Sequence, residues 1–187
     1  MFRNPGLWFV TTFLLAPAVL WGQGFLGFLE ATAPPPPKTY AEFERDTAKA
    51  GEIVTLTIHV FPATGWYLYS ISVSPADGPE PTRIVTSTVS HFAVGVLQET
   101  QPEWVEDEAF GMKLPVHRKP FVLTQGFRIT EGTKSGVQDW KGELHFQSCN
   151  QRICAPLQRL ALTAPLEVDR DLDDLPLKCC SSENLEK

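Results

Sequence analysis

Short runs of alternating apolar residues, separated by Pro and Gly, fill most of this chain. Between residues 54 and 60, Val, Leu and Ile alternate with Thr and His, which is the period of a half-buried strand. Similar strand-like segments follow at residues 66–73, 82–89, 121–129, 144–146 and 160–168. Gly126 suggests a bulge, and residues 40–50 are compatible with a turn or two of helix. The pattern predicts an all-β, two-sheet antiparallel sandwich in a single domain.

The N-terminus has the layout of a secretory signal peptide at residues 1–24. Arg3 supplies a positive charge, residues 7–21 are mostly apolar, and Gly22 and Gly24 provide the small residues of a cleavage site. The apolar stretch is shorter than the ~20 residues that span a bilayer, so we expect it to be removed. An uncleaved N-terminal anchor is the alternative, because residues 25–29 extend the apolar character. Both interpretations place the chain in the periplasm or another exported location, where disulfides persist.

The charge of the chain argues against nucleic acid as a partner. Its formal net charge is −6 at pH 7 and its pI is ≈ 5.2, whereas nucleic acids and anionic membrane surfaces attract basic proteins. About 160 residues remain after the leader, enough for one domain with its own core. We predict a Pro-rich linker at residues 25–38, the sandwich at 39–168 and a polar tail at 169–187.

Cys149 and Cys154 are the residues most informative about function. Four residues separate them, and a disulfide between them would close a ring that adds only roughly 2 kcal/mol of stability by chain entropy. Such a pair suits electron exchange, but the spacing alone fits a small structural staple equally well. For Cys179 and Cys180 in the tail, a mutual disulfide, other pairings, a metal site and a simple exposed tail all stay open. The histidines predict no metal site, because they lack ligand spacing, and the sequence predicts no cofactor.

Three segments, in order along the chain, carry a family resemblance. They are Gly65-Trp-Tyr-Leu-Tyr69, Trp104-Val-Glu-Asp-Glu-Ala-Phe-Gly111 and Phe146-Gln-Ser-Cys-Asn-Gln-Arg-Ile-Cys-Ala-Pro156. They resemble an aromatic strand, an acidic-aromatic loop and a cysteine segment of the N-terminal periplasmic domain of the DsbD family, the thiol:disulfide interchange proteins. The resemblance extends from about Glu52 to Val168.

The resemblance implies an immunoglobulin-like antiparallel β-sandwich with the cysteine pair at one end. It implies a thiol:disulfide oxidoreductase that relays reducing equivalents between a membrane electron carrier and exported thiol proteins. Cys154 would form the mixed disulfide with a partner, and Cys149 would resolve it. The implied partners are periplasmic thioredoxin-like or disulfide-isomerase-like proteins. Because the sequence ends without the membrane and thioredoxin-like domains of full-length members, we expect the carrier to be a separate protein.

A movable cap over the cysteine pair is also implied, formed by Asp107, Glu108, Phe110 and Gly111. Phe110 would exclude water and oxidants, and the two carboxylates would disfavour the thiolate form of the cysteines. A solvated acidic turn is the alternative interpretation of this loop. Ala109 replaces one of the two aromatic residues of the family's cap, so we expect shielding by Phe110 alone to be less complete.

Supporting roles are assigned to Tyr67, Tyr69, Phe146 and Pro156. The tyrosines would contact the cap or the cysteine loop, and ordinary strand packing is the alternative. The chain departs from the family in having four residues rather than five between the cysteines, and only one proline after them. The competing function is a non-enzymatic, exported immunoglobulin-like binding or assembly module with a structural disulfide.

Overall fold

Twelve β-strands make up the described part of the chain, which comprises residues 34–74, 76, 78–88 and 91–169 of a computed structural model. The strands are β1 Lys38–Phe43, β2 Thr47–Lys49, β3 Ile53–Phe61, β4 Tyr67–Tyr69, β5 Arg83–Thr86, β6 His91–Glu99, β7 Glu103–Asp107, β8 Met112–His117, β9 Phe121–Ile129, β10 Gly136–Phe146, β11 Ser148–Cys149 and β12 Gln158–Asp169. The described residues contain no helix, and so none that could cross a membrane. The all-β prediction is confirmed, whereas the predicted leader, Cys179 and Cys180 lie outside the described residues.

Two four-stranded sheets share the main hydrophobic core. Their strand orders are β1-β3-β9-β6 and β2-β12-β10-β5, and every pairing within them is antiparallel except that of β2 with β12. Alternate side chains of β3, β9 and β12 point into this core, as the period of two requires. Trp140 and Phe127 meet edge to face at its centre, with ring centroids 5.7 Å apart. The predicted immunoglobulin-like sandwich is therefore confirmed.

Three local predictions, at residues 40–50, Gly126 and residues 66–73, differ from the structure. Residues 40–50 form β1 and β2 rather than a helical turn, because β1 pairs along its whole length with β3. The bulge lies not at Gly126 but in the neighbouring strand β6, where the register shifts between Val94 and Gln98. There Gly95 adopts a φ of 74°, a left-handed conformation that suits glycine. The strand predicted at residues 66–73 is only three residues long.

A third sheet, with strand order β11-β4-β8-β7, carries a second and smaller hydrophobic cluster. Its short strand β4 connects the two clusters through the alternation of its side chains. Leu68 belongs to the main core, whereas Tyr67 and Tyr69 belong to the smaller cluster, which also contains Cys149. The sandwich therefore holds both tyrosines on the face of β4 that is directed toward the cysteines.

Gly142 of β10 is a position where added volume should be costly. A Cβ atom there would lie 2.6 Å from the ring of buried Trp140 and 2.9 Å from the carbonyl oxygen of Val85. Because neither neighbour can move freely, we expect Gly142→Ala to lower the free energy of unfolding by about 1–3 kcal/mol or more in urea denaturation. Lys141→Ala, at an exposed position of the same strand, should change it by less than about 0.5 kcal/mol. Equal stability of the two variants would contradict this packing.

Candidate functional site

Cys149 and Cys154 are joined by a disulfide, with an S–S distance of 2.05 Å and Cα atoms 4.1 Å apart. The two halves of the bond differ in exposure. Cys149 is fully buried within the smaller hydrophobic cluster, whereas Cys154 is half-buried at its edge. Thiol–disulfide exchange requires a thiolate to approach one sulfur in line with the bond. Cys154 is therefore the more accessible point of attack.

A tight hairpin brings the two cysteines opposite each other. At its base, the amide of Ala155 donates to the carbonyl of Ser148 at 2.9 Å. At its tip, the Asn150 side-chain oxygen accepts hydrogen bonds from the amides of Arg152 and Ile153 at 2.8 and 2.9 Å. Asparagine commonly stabilises turns in this way, because its side chain replaces a backbone acceptor. Local interactions thus fix the geometry that the cysteine spacing suggested.

Gln147 attaches this hairpin to the rest of the domain, a role that the sequence interpretation missed. Its side-chain nitrogen donates to the carbonyl of Ala155 at 2.9 Å, and its side-chain oxygen accepts from the amide of Glu80 at 2.9 Å. The one sequence signal for this role is that Gln147 belongs to the cysteine segment that resembles the family. The predicted supporting residue Phe146 lies in the main core instead, and Pro156 is exposed where the chain leaves the hairpin.

Asp107 is the centre of a buried hydrogen-bond network, with only 2% of its surface exposed. One carboxylate oxygen accepts the hydroxyls of Tyr67 and Tyr69 at 2.9 and 2.6 Å. The other accepts the backbone amides of Ala109 and Phe110 at 3.0 and 3.3 Å. Hydrogen bonds of this kind replace the water that a buried carboxylate loses. The carboxylate therefore links β4 to the turn between β7 and β8.

Tyr69 connects Asp107 to the disulfide. Its hydroxyl lies 3.0 Å from the sulfur of Cys149 and 3.7 Å from that of Cys154. Burial, and secondly the hydrogen bond to Asp107, raise the pKa of Tyr67 to about 12, and the same causes raise the pKa of Tyr69 further. Tyr69 thus keeps its proton at neutral pH and stays a hydrogen-bond donor beside the sulfur. Asp107 acts on the cysteines through this hydroxyl rather than by direct contact.

The predicted cap is the four-residue turn 108–111 that joins β7 to β8. Asp107 pairs with Met112 across it, and the amide of Gly111 donates to the carbonyl of Asp107 at 2.8 Å. Gly111 has a φ of 63°, so glycine relieves the strain that another residue would incur at the end of the turn. Glu108 is exposed on this turn, and no hydrogen bond or ion pair joins it to the described residues.

Phe110 is the cap residue that packs inward. It is half-buried, and its ring meets that of Tyr69 edge to face at 6.0 Å between centroids. It packs against the cluster that contains Cys149, as does Cys154. The structure therefore brings Phe110, the two tyrosines and Asp107 together with the disulfide, whereas Glu108, Phe146 and Pro156 stand apart from this network.

A second buried network, also missed at the sequence level, supports the end of β4. Glu99 lies 2.8 Å from the Nε2 atom of His117, and it accepts hydrogen bonds from the Ser70 hydroxyl and from the amide of Ile71 at 3.1 Å. Burial alone would raise the pKa of Glu99, but these hydrogen bonds outweigh it and hold the pKa below its usual value. These residues are far apart in sequence, and no local pattern signals their contact.

A disulfide hairpin at the end of an immunoglobulin-like sandwich is an arrangement suited to thiol–disulfide interchange. The family model described as "Thiol:disulfide interchange protein DsbD, N-terminal" matches residues 32–164. The match covers more than half of the sequence, so the chain belongs to the DsbD N-terminal domain family, as the three segments predict. None of the curated proteins compared with the chain matches it.

The solved structures that match this chain are distant from it in sequence. The major pilin subunit BcpA of Bacillus cereus is 11% identical with a TM-score of 0.40, over 71% of this chain and 39% of the pilin. The seventh ScaB type I cohesin of Pseudobacteroides cellulosolvens is 10% identical with a TM-score of 0.35, over 72% of this chain and 95% of the cohesin. TM-scores this low carry no argument about this protein.

The hydrogen bonds of Asp107 predict how Tyr67 titrates. Replacing the carboxylate in Asp107→Asn should lower the pKa of Tyr67 from about 12 toward its ordinary value of 10.0, as measured by tyrosinate absorbance. Arg118→Gln should have the opposite effect, because the Arg118 guanidinium lies 5.4 Å from the centre of the Tyr67 ring and lowers its pKa.

The raised pKa of Tyr67 also makes the stability of the folded domain depend on pH. The raised pKa means that the folded state favours the neutral hydroxyl, so its stabilising contribution is complete below pH 10.0 and is lost as pH rises through about 12. A Tyr67 titration that is unchanged in both variants would contradict the network.

Proposed function

We propose that this chain is an exported thiol–disulfide interchange domain that passes reducing equivalents from a membrane electron carrier to exported thiol proteins. Its membership of the DsbD N-terminal domain family supports this function. The observation that carries the proposal is the asymmetry of the disulfide, with Cys154 half-buried at the edge of the cluster and Cys149 fully buried. A partner can reach one sulfur while the protein controls the other.

Reduction of the domain proceeds through a mixed disulfide. A thiolate of the donor attacks the sulfur of Cys154, the Cys149–Cys154 bond breaks, and Cys149 leaves as a thiolate that takes up a proton. The second thiol of the donor, as its thiolate, then attacks the donor sulfur of the mixed disulfide. Cys154 leaves and is protonated, and the donor ends as a disulfide. Two electrons and two protons pass to the domain.

Transfer to an exported partner reverses the roles. The thiolate of Cys154 attacks the disulfide of the partner, and one partner sulfur leaves as a thiolate and is protonated. Cys149, after losing its proton, then attacks Cys154 and restores the internal disulfide, so that the second partner sulfur leaves as a thiol. The partner gains the two electrons. The position of Cys149 opposite Cys154 in the hairpin supports this resolving role.

Tyr69 and Asp107 control the charge on the buried sulfur. When Cys149 leaves as a thiolate, the Tyr69 hydroxyl, 3.0 Å away, can donate a hydrogen bond to it. The carboxylate of Asp107, 2.6 Å beyond that hydroxyl, disfavours a lasting negative charge on sulfur. The hydroxyl stabilises the thiolate that forms transiently, and the carboxylate favours its protonation, so the reduced domain rests as a dithiol that reacts slowly with stray oxidants.

The relay predicts different outcomes for the two variants that each lack one cysteine of the pair. With Cys179 and Cys180 replaced by Ser, reduced Cys149→Ala should form a stable mixed disulfide with a thioredoxin-like protein that keeps one reactive cysteine and is supplied as its mixed disulfide with a small thiol, because neither protein then has a second thiol to resolve it. In the same background, Cys154→Ala, which keeps only the buried sulfur of the pair, should trap at least about tenfold less, equivalent to ~1.4 kcal/mol of lost access. Non-reducing electrophoresis with mass spectrometry measures both.

The reduction potential of the wild-type disulfide provides an independent check. We expect a value above about −300 mV, because structural disulfides usually lie below it. Equal trapping by both variants, or a disulfide that is reduced only when the protein unfolds, would support a structural staple instead of a relay.

The packing of Phe110 predicts that it slows access to the sulfurs. In the reduced protein, Phe110→Ala should raise the rate of alkylation of Cys154 by at least about threefold, corresponding to ~0.7 kcal/mol of lost shielding. Phe92→Ala is the matched control, because Phe92 is 52% exposed on β6 of the main sandwich. If the two variants react at the same rate, the cap has no protective role.

A further inference from the structure

Two surface grooves flank the tip of the cysteine hairpin. One has a volume of ≈ 570 Å³ and lies between the hairpin and the start of β4, where Trp66 and Tyr67 line it. The other, of ≈ 640 Å³, lies on the side of the cap, where Glu106 and Glu108 line it. Arg118 and Arg152 contribute to both grooves. A partner that reaches Cys154 must cover this surface, because Arg152 is only two positions from that cysteine.

The charges of the two grooves differ. The groove beside Trp66 contains both guanidinium groups and no carboxylate among its lining residues. Arg152 is exposed and forms no ion pair with the described residues. The nearest carboxylate to Arg118 belongs to Glu103, at 3.8 Å, and both side chains are about half exposed, so this pair is weak. Two guanidinium groups beside the disulfide can therefore bind a carboxylate, although the net charge of the chain is −6.

We propose that the groove beside Trp66 binds an acidic residue next to the reactive cysteine of the partner protein. Arginine suits this role because its planar guanidinium can form two parallel hydrogen bonds with a carboxylate. The half-buried Trp66 and the exposed Ile153 of the hairpin supply apolar contacts for the adjoining backbone, which favours a polypeptide over a small anion. This inference rests on the proposed relay function and specifies the partner that it selects.

The arrangement also fixes the orientation of the partner. In the cap-side groove, the carboxylates of Glu106 and Glu108 offset the two arginines that both grooves share, so an acidic flank is attracted more strongly to the groove beside Trp66. Charge complementarity of this kind mainly sets the rate and geometry of encounter, and salt screens it. The bound carboxylate would align the thiolate of the partner with the sulfur of Cys154.

Exchange kinetics with short peptides test this inference. The oxidised full chain is mixed with single-cysteine peptides that differ only in having Glu, Gln or Lys beside the cysteine. The rate of mixed-disulfide formation at Cys154 is followed by acid quench and mass spectrometry. Dithiothreitol, which is uncharged, serves as the reference reductant, so that each rate is expressed relative to it.

Charge-removing variants distinguish the groove from general electrostatics. Arg118→Gln with Arg152→Gln should lower the relative rate of the Glu peptide by about three- to tenfold, leave the Gln peptide within about twofold, and lose this difference at 1 M salt. Arg152→Gln alone, which removes no side-chain hydrogen bond or ion pair of the described residues, should give part of the effect. Glu106→Gln with Glu108→Gln should raise the rate of the Glu peptide.

Lys134→Gln is the matched control. Lys134 is exposed before β10, whose 11 residues separate it from the cysteine hairpin by roughly 36 Å at about 3.3 Å per residue. The Lys134→Gln variant removes one charge and should leave all peptide rates unchanged. If the arginine variants slow the Gln and Glu peptides equally, or slow neither, the acidic-partner inference is wrong while the relay stands. If dithiothreitol cannot reduce the folded wild-type protein, the relay itself fails.

Discussion

The buried carboxylate of Asp107 is the interaction on which the cysteine end of this domain depends. It accepts two hydroxyl groups from β4 and two amides from the cap turn. A buried charge is costly unless such donors replace its hydration. Opening the cap would remove the two amides and leave the charge supported by the tyrosines and by whatever water enters. Cap position, tyrosine position and the environment of Cys149 are therefore one coupled arrangement.

Separation of the two hydrophobic clusters lets this end change while the sandwich stays intact. Leu68 packs into the main core, while its neighbours Tyr67 and Tyr69 belong to the smaller cluster with Cys149. Most of the buried apolar side chains lie in the main core, and burial of apolar surface is the dominant stabilising contribution. The short disulfide ring adds only roughly 2 kcal/mol by chain entropy. Breaking the bond should therefore leave the domain folded, as the proposed electron relay requires.

Sequence patterns predicted the sandwich where one face of a strand is buried, as in β3, β9 and β12, because alternation is then visible. They missed β8, whose residues Leu114 to His117 are all buried and include a proline and a histidine. The family segments identified the cysteines, tyrosines and cap. The hydrogen bonds of Gln147 and the Glu99–His117 pair join residues that no local pattern connects.

The Tyr69 hydroxyl lies between the Asp107 carboxylate and the Cys149 sulfur. Through this position it can influence both the protection of the disulfide and the proposed exchange reaction. Tyr69 has a single proton, and in the oxidised domain its oxygen lies nearer to Asp107, at 2.6 Å, than to Cys149, at 3.0 Å. A thiolate at Cys149 is a stronger acceptor than a disulfide, so in the proposed relay the transient thiolate would draw this proton toward sulfur and weaken its bond to Asp107. The carboxylate then relies more on the amides of the cap. In the proposed relay, each step of exchange would therefore change the interactions that hold the cap in place.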